Sequence, residues 1–278
     1  MDRAISKWLK FFILICLLGG ILSITSCRTY YGDGLAGGVY THMQSPMSND
    51  EGSVSRNYIG GKYNQDVNYY ENEKNESAEL SFHHAVSDYN ISYAFGAFAF
   101  LGNYQVNDLP NKFEELNGDH AYYGAGFRAK VAYNLPLSSK VHWRIIGVQS
   151  SWHFETGDYS HFKDKLRQLD KLEEGEILNS GINSTHNFTN LCFYPYTELA
   201  IKIGDSWQLT PQFGFGFKLN EIMALRGFTG INISYKGFHV WGTIQEVGMS
   251  LDRLVFNDFE ARQMGNNNHF QLGMAFSF

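Results

Sequence analysis

The chain has 278 residues, with 28 Asp and Glu against 22 Lys and Arg and a net charge of −6, so it offers no basic patch or stripe for nucleic acid. Cys16 and Cys27 fall within the first 27 residues and leave Cys192 alone in the body of the chain, which excludes an internal disulfide framework and a thiolate metal centre. An aromatic content of 16% with 28 Gly and only 5 Pro suits strands that are bulky on one face and need room on the other.

Residues 1–10 carry Arg3, Lys7 and Lys10, and the apolar run that follows, 11–22, is too short for a membrane-spanning helix. This is a signal-peptide pattern. It closes on Ile24-Thr25-Ser26-Cys27, which resembles the lipobox of bacterial lipoproteins and implies cleavage before Cys27 and acylation of its thiol. Acyl chains contribute about 0.8 kcal/mol per buried CH₂, so several make a firm anchor. The chain then divides into a signal peptide, 1–26, a lipidated tether, 27–34, and a body, 35–278. The resemblance implies outer-membrane sorting, because Arg28 stands where an inner-membrane retention aspartate would follow the cysteine. The sequence Arg28-Thr29-Tyr30-Tyr31-Gly32 lacks the acidic run that marks surface export in lipoproteins of Bacteroidota. The anchor is therefore expected on the periplasmic side.

Period-2 alternation dominates from residue 35 onward. Strands are expected at 35–44, 77–85, 90–105, 119–134, 140–155, 188–203, 206–219, 228–236, 238–249 and 268–278. In 119–134, the odd positions Ala121, Tyr123, Ala125, Phe127, Ala129, Val131 and Tyr133 are apolar, while the even ones mix glycine with Arg128 and Lys130. Runs this long exceed the usual soluble strand, and glycine concentrated on the polar face suits backbones crowded around a narrow lumen. The fold expected is all-β: an antiparallel, up-and-down transmembrane barrel of ten strands. Pairing by 57–63 would make twelve, and shorter terminal strands would leave eight. Short connections at 86–88, 135–139, 204–205 and 237 alternate with long ones at 45–76, 106–118, 156–187, 220–227 and 250–267, as periplasmic turns and external loops do. With an even count, both barrel ends emerge on the short-turn side, where a periplasmic lipid on Cys27 belongs. Loop 45–76, rich in Asn, Ser, Gly and Tyr, has the composition of an adaptable contact surface.

In loop 156–187, Phe162, Leu166, Leu169 and Leu172 recur at helical spacing and predict a short amphipathic helix, either a lid or docking element or a solvated cover on the barrel rim. Ser151, His153 and Glu155 alternate on one strand and share a face, an arrangement that resembles the Ser/His pair with a nearby carboxylate of outer-membrane lipid A deacylases and implies nucleophile, base and orienting acid. Arg128, Lys130, Arg144, Glu198, Lys202 and Lys218 are placed on the lumen side, as a polar network closing the pore or as the lining of an anion passage. His83 and His84 point to opposite faces and make a poor metal pair, and no glycine-rich phosphate loop joins a strand to a helix, so no metal or cofactor is expected. The last strand presents Phe270, Leu272, Met274, Phe276 and Phe278 on one face and resembles the C-terminal signal read by the outer-membrane barrel-assembly machinery.

Together these features resemble a bacterial, Bacteroidota-like outer-membrane β-barrel lipoprotein. The resemblance implies outer-membrane lipids, the assembly machinery and other envelope proteins as partners. Three functions follow as expectations: an accessory member of an envelope complex, a small-solute or anion channel, and a lipid A-modifying hydrolase.

Overall fold

The protein's structure, a computed structural model, describes residues 29–31, 41–47, 52–68, 74–107, 111–172, 182–184, 190–218, 226–246 and 267–278. The expected signal peptide, 1–26, and Cys27 lie outside these residues. Ten antiparallel strands close into a barrel: β1 (Val54–Asn68), β2 (Lys74–Ser87), β3 (Ile91–Val106), β4 (Gly118–Ser138), β5 (Val141–Gly157), β6 (Asn190–Ile203), β7 (Trp207–Lys218), β8 (Arg226–Tyr235), β9 (Phe238–Glu246) and β10 (Asn267–Ser277). Each strand pairs with its sequence neighbours, and β10 closes on β1 in a ladder from Ser277 opposite Tyr58 to Asn267 opposite Asn68. Closure leaves no unpaired edge, the condition for a sheet to cross a bilayer.

Alternation sets inside and outside as the sequence predicts. Leu80, Phe127, Ile146 and Leu272 face outward and are 61–68% exposed, whereas Lys62, Glu79, Arg128, Lys130, Arg144 and Glu198 are buried in the lumen. Apolar outside and charged inside is the reverse of a soluble barrel and fits a lipid surround. Ala97, outward on β3, gives a clean test. Ala97→Arg places a guanidinium near the middle of the apolar band and is expected to cost about 2–4 kcal/mol, read as a lowered denaturation midpoint in lipid. An unchanged midpoint would mean that water, not lipid, bathes this face.

The connections alternate in length. Residues 88–90, 139–140, 204–206 and 236–237 join strands at one end of the barrel, and 69–73, 107–117, 158–189, 219–225 and 247–266 at the other. The turn between β8 and β9 uses Lys236 and Gly237 with φ of 46° and 87°, both left-handed, as a type I′ two-residue hairpin turn requires. On β5, a register shift between Arg144 and Gly147 resets the alternation, so that Arg144 and Gln149 both face the lumen.

One expectation fails. The stretch 35–44 is not the first strand: residues 41–47 join no ladder, and 35–40 lie outside the described residues. The first strand is β1, taken from 45–76, which was expected as an external loop. The physical reason is symmetric. In the sequence, Val39, Thr41 and Met43 alternate with Tyr40, His42 and Gln44 as a strand would, whereas β1 presents Ile59, Gly61, Tyr63 and Gln65 outward, too weak a contrast to stand out. One strand replaces another, so the count stays at ten.

The expected helix forms as α1 (Asp158–Leu172), directly after β5. A 3₁₀ turn, Asn111–Leu116, lies in the connection between β3 and β4.

Candidate functional site

The lumen holds the chain's concentrated chemistry, in three layers along the barrel axis. The middle layer is a belt of buried ion pairs. Glu79 on β2 accepts two parallel hydrogen bonds from Arg128 on β4, each 2.5 Å, and lies 3.2 Å from Lys62 on β1. Glu198 on β6 receives Lys130 at 3.1 Å and Arg144 of β5, the latter directly opposite it in the ladder. Arg128 also lies 3.6 Å from the centre of the Phe98 ring. Four cations therefore meet two carboxylates. Buried charge needs partners, and the carboxylates alone leave the belt two positive charges in excess.

Backbone carbonyls supply the remainder. Residues 41–46 run through the lumen as a strap outside any ladder, buried throughout. Lys130 donates to the Met43 carbonyl at 2.8 Å, Arg144 donates to the carbonyls of Ser45 and Pro46 at 3.2 and 2.8 Å, and Lys62 donates to the Thr41 hydroxyl. His83 bonds the Gln44 carbonyl at 3.1 Å, and His42 meets Gln212 of β7 at 2.7 Å. Each contact turns a peptide dipole or hydroxyl toward a buried donor, which makes strap and belt one polar network. From Lys62 and Glu79 toward the short-turn end, Tyr58 stacks on His83 at 4.6 Å and meets His239 edge-on at 5.3 Å.

The long-connection end is closed differently, by an aromatic lid. Tyr159 and Phe162 of α1 pack with Phe98, Phe100, Val106, Leu116 and Tyr122. Tyr104 stacks on Tyr159 at 4.6 Å, and His120 on Phe162 at 4.4 Å. Lys163 of α1 reaches Glu155 of β5 at 3.3 Å and pins the helix to the wall. Tyr159 and Phe162, at the start of the helix, thus face the mouth of the barrel.

Ser151, His153 and Glu155 share the lumenal face of β5, all buried. Glu155 is held by Lys163, and the His153 ring sits 6.2 Å from Phe98 and 5.7 Å from Phe100. All three point away from the lipid side of the wall.

No protein-family model matches the chain, and no curated protein does. Among solved structures, the chain is similar to the transport unit of the autotransporter AIDA-I from Escherichia coli, at TM-score 0.40 and 10% identity over 85% of this chain and 93% of that one. It is also similar to the β domain of the Bordetella autotransporter BrkA, at 0.39 and 12% over 81% and 99%, and to Neisserial surface protein A, at 0.33 and 8% over 82% and 99%. The likeness is one of fold.

Of the charged residues assigned to the lumen from sequence, the structure brings Arg128, Lys130, Arg144 and Glu198 into the belt. Lys202 is exposed beside the turn at Gly204, and the Lys218 side chain lies outside the described residues. Phe270, Leu272, Met274 and Phe276 face outward on the last strand, and Phe278, just after it, is exposed as well. Sequence reasoning missed Glu79, Lys62 and the strap. Glu79 was readable: it shares its phase with Ser77 and His83, opposite Leu80 and Phe82. Lys62 was hidden with β1. No periodicity distinguishes a strap inside a barrel from a strand in its wall. Among the described residues, no group of three or more His, Cys, Asp or Glu is placed to hold a metal ion.

Proposed function

We propose that this chain is an outer-membrane lipoprotein, acylated at Cys27, whose closed barrel serves as a structural or accessory member of an envelope protein complex. The observation that carries this reading is the occupied lumen: the strap fills its middle, and α1 covers one mouth. A barrel so filled offers its outer wall and long connections for contact, with outer-membrane lipids on one side and envelope proteins on the other. The barrel-assembly machinery is its partner during insertion, through the phenylalanine-rich face of β10.

The test is purification of the full-length protein from native membranes in mild detergent. A partner retained in fixed stoichiometry is expected, and recovery of the barrel alone would overturn the accessory reading. Incorporation of labelled palmitate, abolished in Cys27→Ser, is expected from acylation.

A second reading, an anion channel, is favoured by the excess of cations in the belt, since such a lumen would select anions if it opened. Displacement of the strap is the step this reading requires.

A further inference from the structure

We infer that the amino-terminal segment is threaded through the barrel, entering at the long-connection mouth and leaving at the short-turn end before β1 begins. Three placements carry this.

The first is the direction of the strap. Thr41 meets Lys62, in the middle of β1. Gln44 meets His83, opposite Tyr58 and nearer the short-turn end. Ser45 and Pro46 meet Arg144, three residues into β5 from its short turn. The strap therefore descends from mid-barrel to the short-turn end, and eight residues after Pro46 the chain starts β1 at Val54 on that rim.

The second placement lies upstream. Thr29–Tyr31 pairs in parallel with Ile182–Ser184, Thr29 opposite Ile182 and Tyr31 opposite Ser184. Ile182–Ser184 belongs to the 158–189 connection and packs against α1, the lid of the long-connection mouth. Tyr31 and Thr41 thus sit on opposite sides of that mouth. The ten peptide steps between them reach at most about 35 Å, enough to pass from the mouth to mid-lumen. A route down through the short-turn end and back over the lipid-facing wall needs on the order of 55–60 Å. The direct path is the one the chain can cover.

The third is the wall along that path. From the level of Thr41 toward the long-connection rim, β1, β9 and β10 present Asn64, Thr243, Gln245 and Gln271 to the lumen, all buried. Gln245 and Gln271 have neither side-chain atom in a hydrogen bond. Buried amides of this kind suit the peptide groups of a passing chain, which need donors and acceptors at every step.

With the long connections facing the outside of the cell, as the sequence leads one to expect, and the outer-membrane lipoprotein of the proposed reading, threading reverses the side expected for the lipid from strand parity alone. Parity still places both ends of the barrel wall on the short-turn side. The strap carries the chain back through the wall's own lumen, so Cys27, two residues before Thr29, lies on the external face and an acyl chain there enters the outer leaflet.

Single-cysteine variants of the full-length protein in the outer membrane of a Gram-negative host, probed with a membrane-impermeant maleimide, test this. Glu114→Cys marks the long-connection side and Asp205→Cys the short-turn side. Tyr31→Cys is expected to label in intact cells together with Glu114→Cys, with Asp205→Cys labelling only after permeabilisation. Tyr31→Cys labelling only in step with Asp205→Cys would overturn threading. Should Glu114→Cys and Tyr31→Cys both be protected while Asp205→Cys labels, threading stands and the membrane orientation fails. The double variant Tyr31→Cys/Ser184→Cys is expected to form a disulfide on oxidation of the folded barrel, whatever its exposure to maleimide. Failure to cross-link, with Tyr31→Cys unlabelled in either state, would also overturn threading.

Discussion

Replacing Glu198 by alanine is expected to destabilise the barrel by about 3–5 kcal/mol, because it leaves two buried cations without their carboxylate. Lys130 and Arg144 both turn to Glu198, and the side chains of all three are at most 1% exposed. The strap carbonyls of Met43, Ser45 and Pro46 still accept from the two cations in the variant, but neutral dipoles do not offset two like charges in a confined space. The readout is a lowered denaturant midpoint, together with loss of heat-modifiable migration at a lower temperature. Glu198→Gln keeps the volume and one acceptor and is expected to fall between the two. A midpoint for Glu198→Ala within experimental error of the parent would show that the belt is solvated and that the lumen is open to water.

Removing the strap is expected to change permeability more than any single side chain does. Deleting 41–46, or replacing it with six glycine and serine residues, strips acceptors from Lys62, Lys130, Arg144 and His83 together. It also empties the middle of a ten-stranded lumen, a size at which side chains alone scarcely fill the interior. Cells carrying the strapless barrel are expected to take up small anionic solutes faster than cells carrying the parent. Selectivity for anions follows from the remaining belt, in which Lys62, Arg128, Lys130 and Arg144 face Glu79 and Glu198. The glycine-serine variant keeps the length of chain before β1 and separates loss of the plug from loss of reach.

Much of this barrel can be read directly from alternation. The odd positions of 119–134 are the lipid face of β4, the even ones its lumen face, and the same holds for β6, β7 and β10, because a wall with lipid on one side and charge on the other imposes a strong period of two. The helix after β5 is equally legible, since Phe162 and its followers repeat at 3.6 residues. What escapes sequence reasoning is everything that depends on what lies across the lumen. Lys62 and Glu79 sit on neighbouring strands, but Arg128, the second cation on Glu79, is 49 residues beyond it in the chain. The stretch 35–44 reads as a strand because alternation in sequence looks the same whether the partners are a ladder or, as for 41–44, a ring of side chains. The parity argument inherits that error: it follows the wall and is blind to a chain that doubles back through the middle.

Planar-bilayer recording of the purified full-length protein beside its strapless variant tests the closed lumen most directly. The full-length barrel is expected to give no conductance steps above background, while the variant gives stepwise, anion-selective currents. Steps of equal size from both proteins would contradict a lumen closed by its own amino-terminal strap.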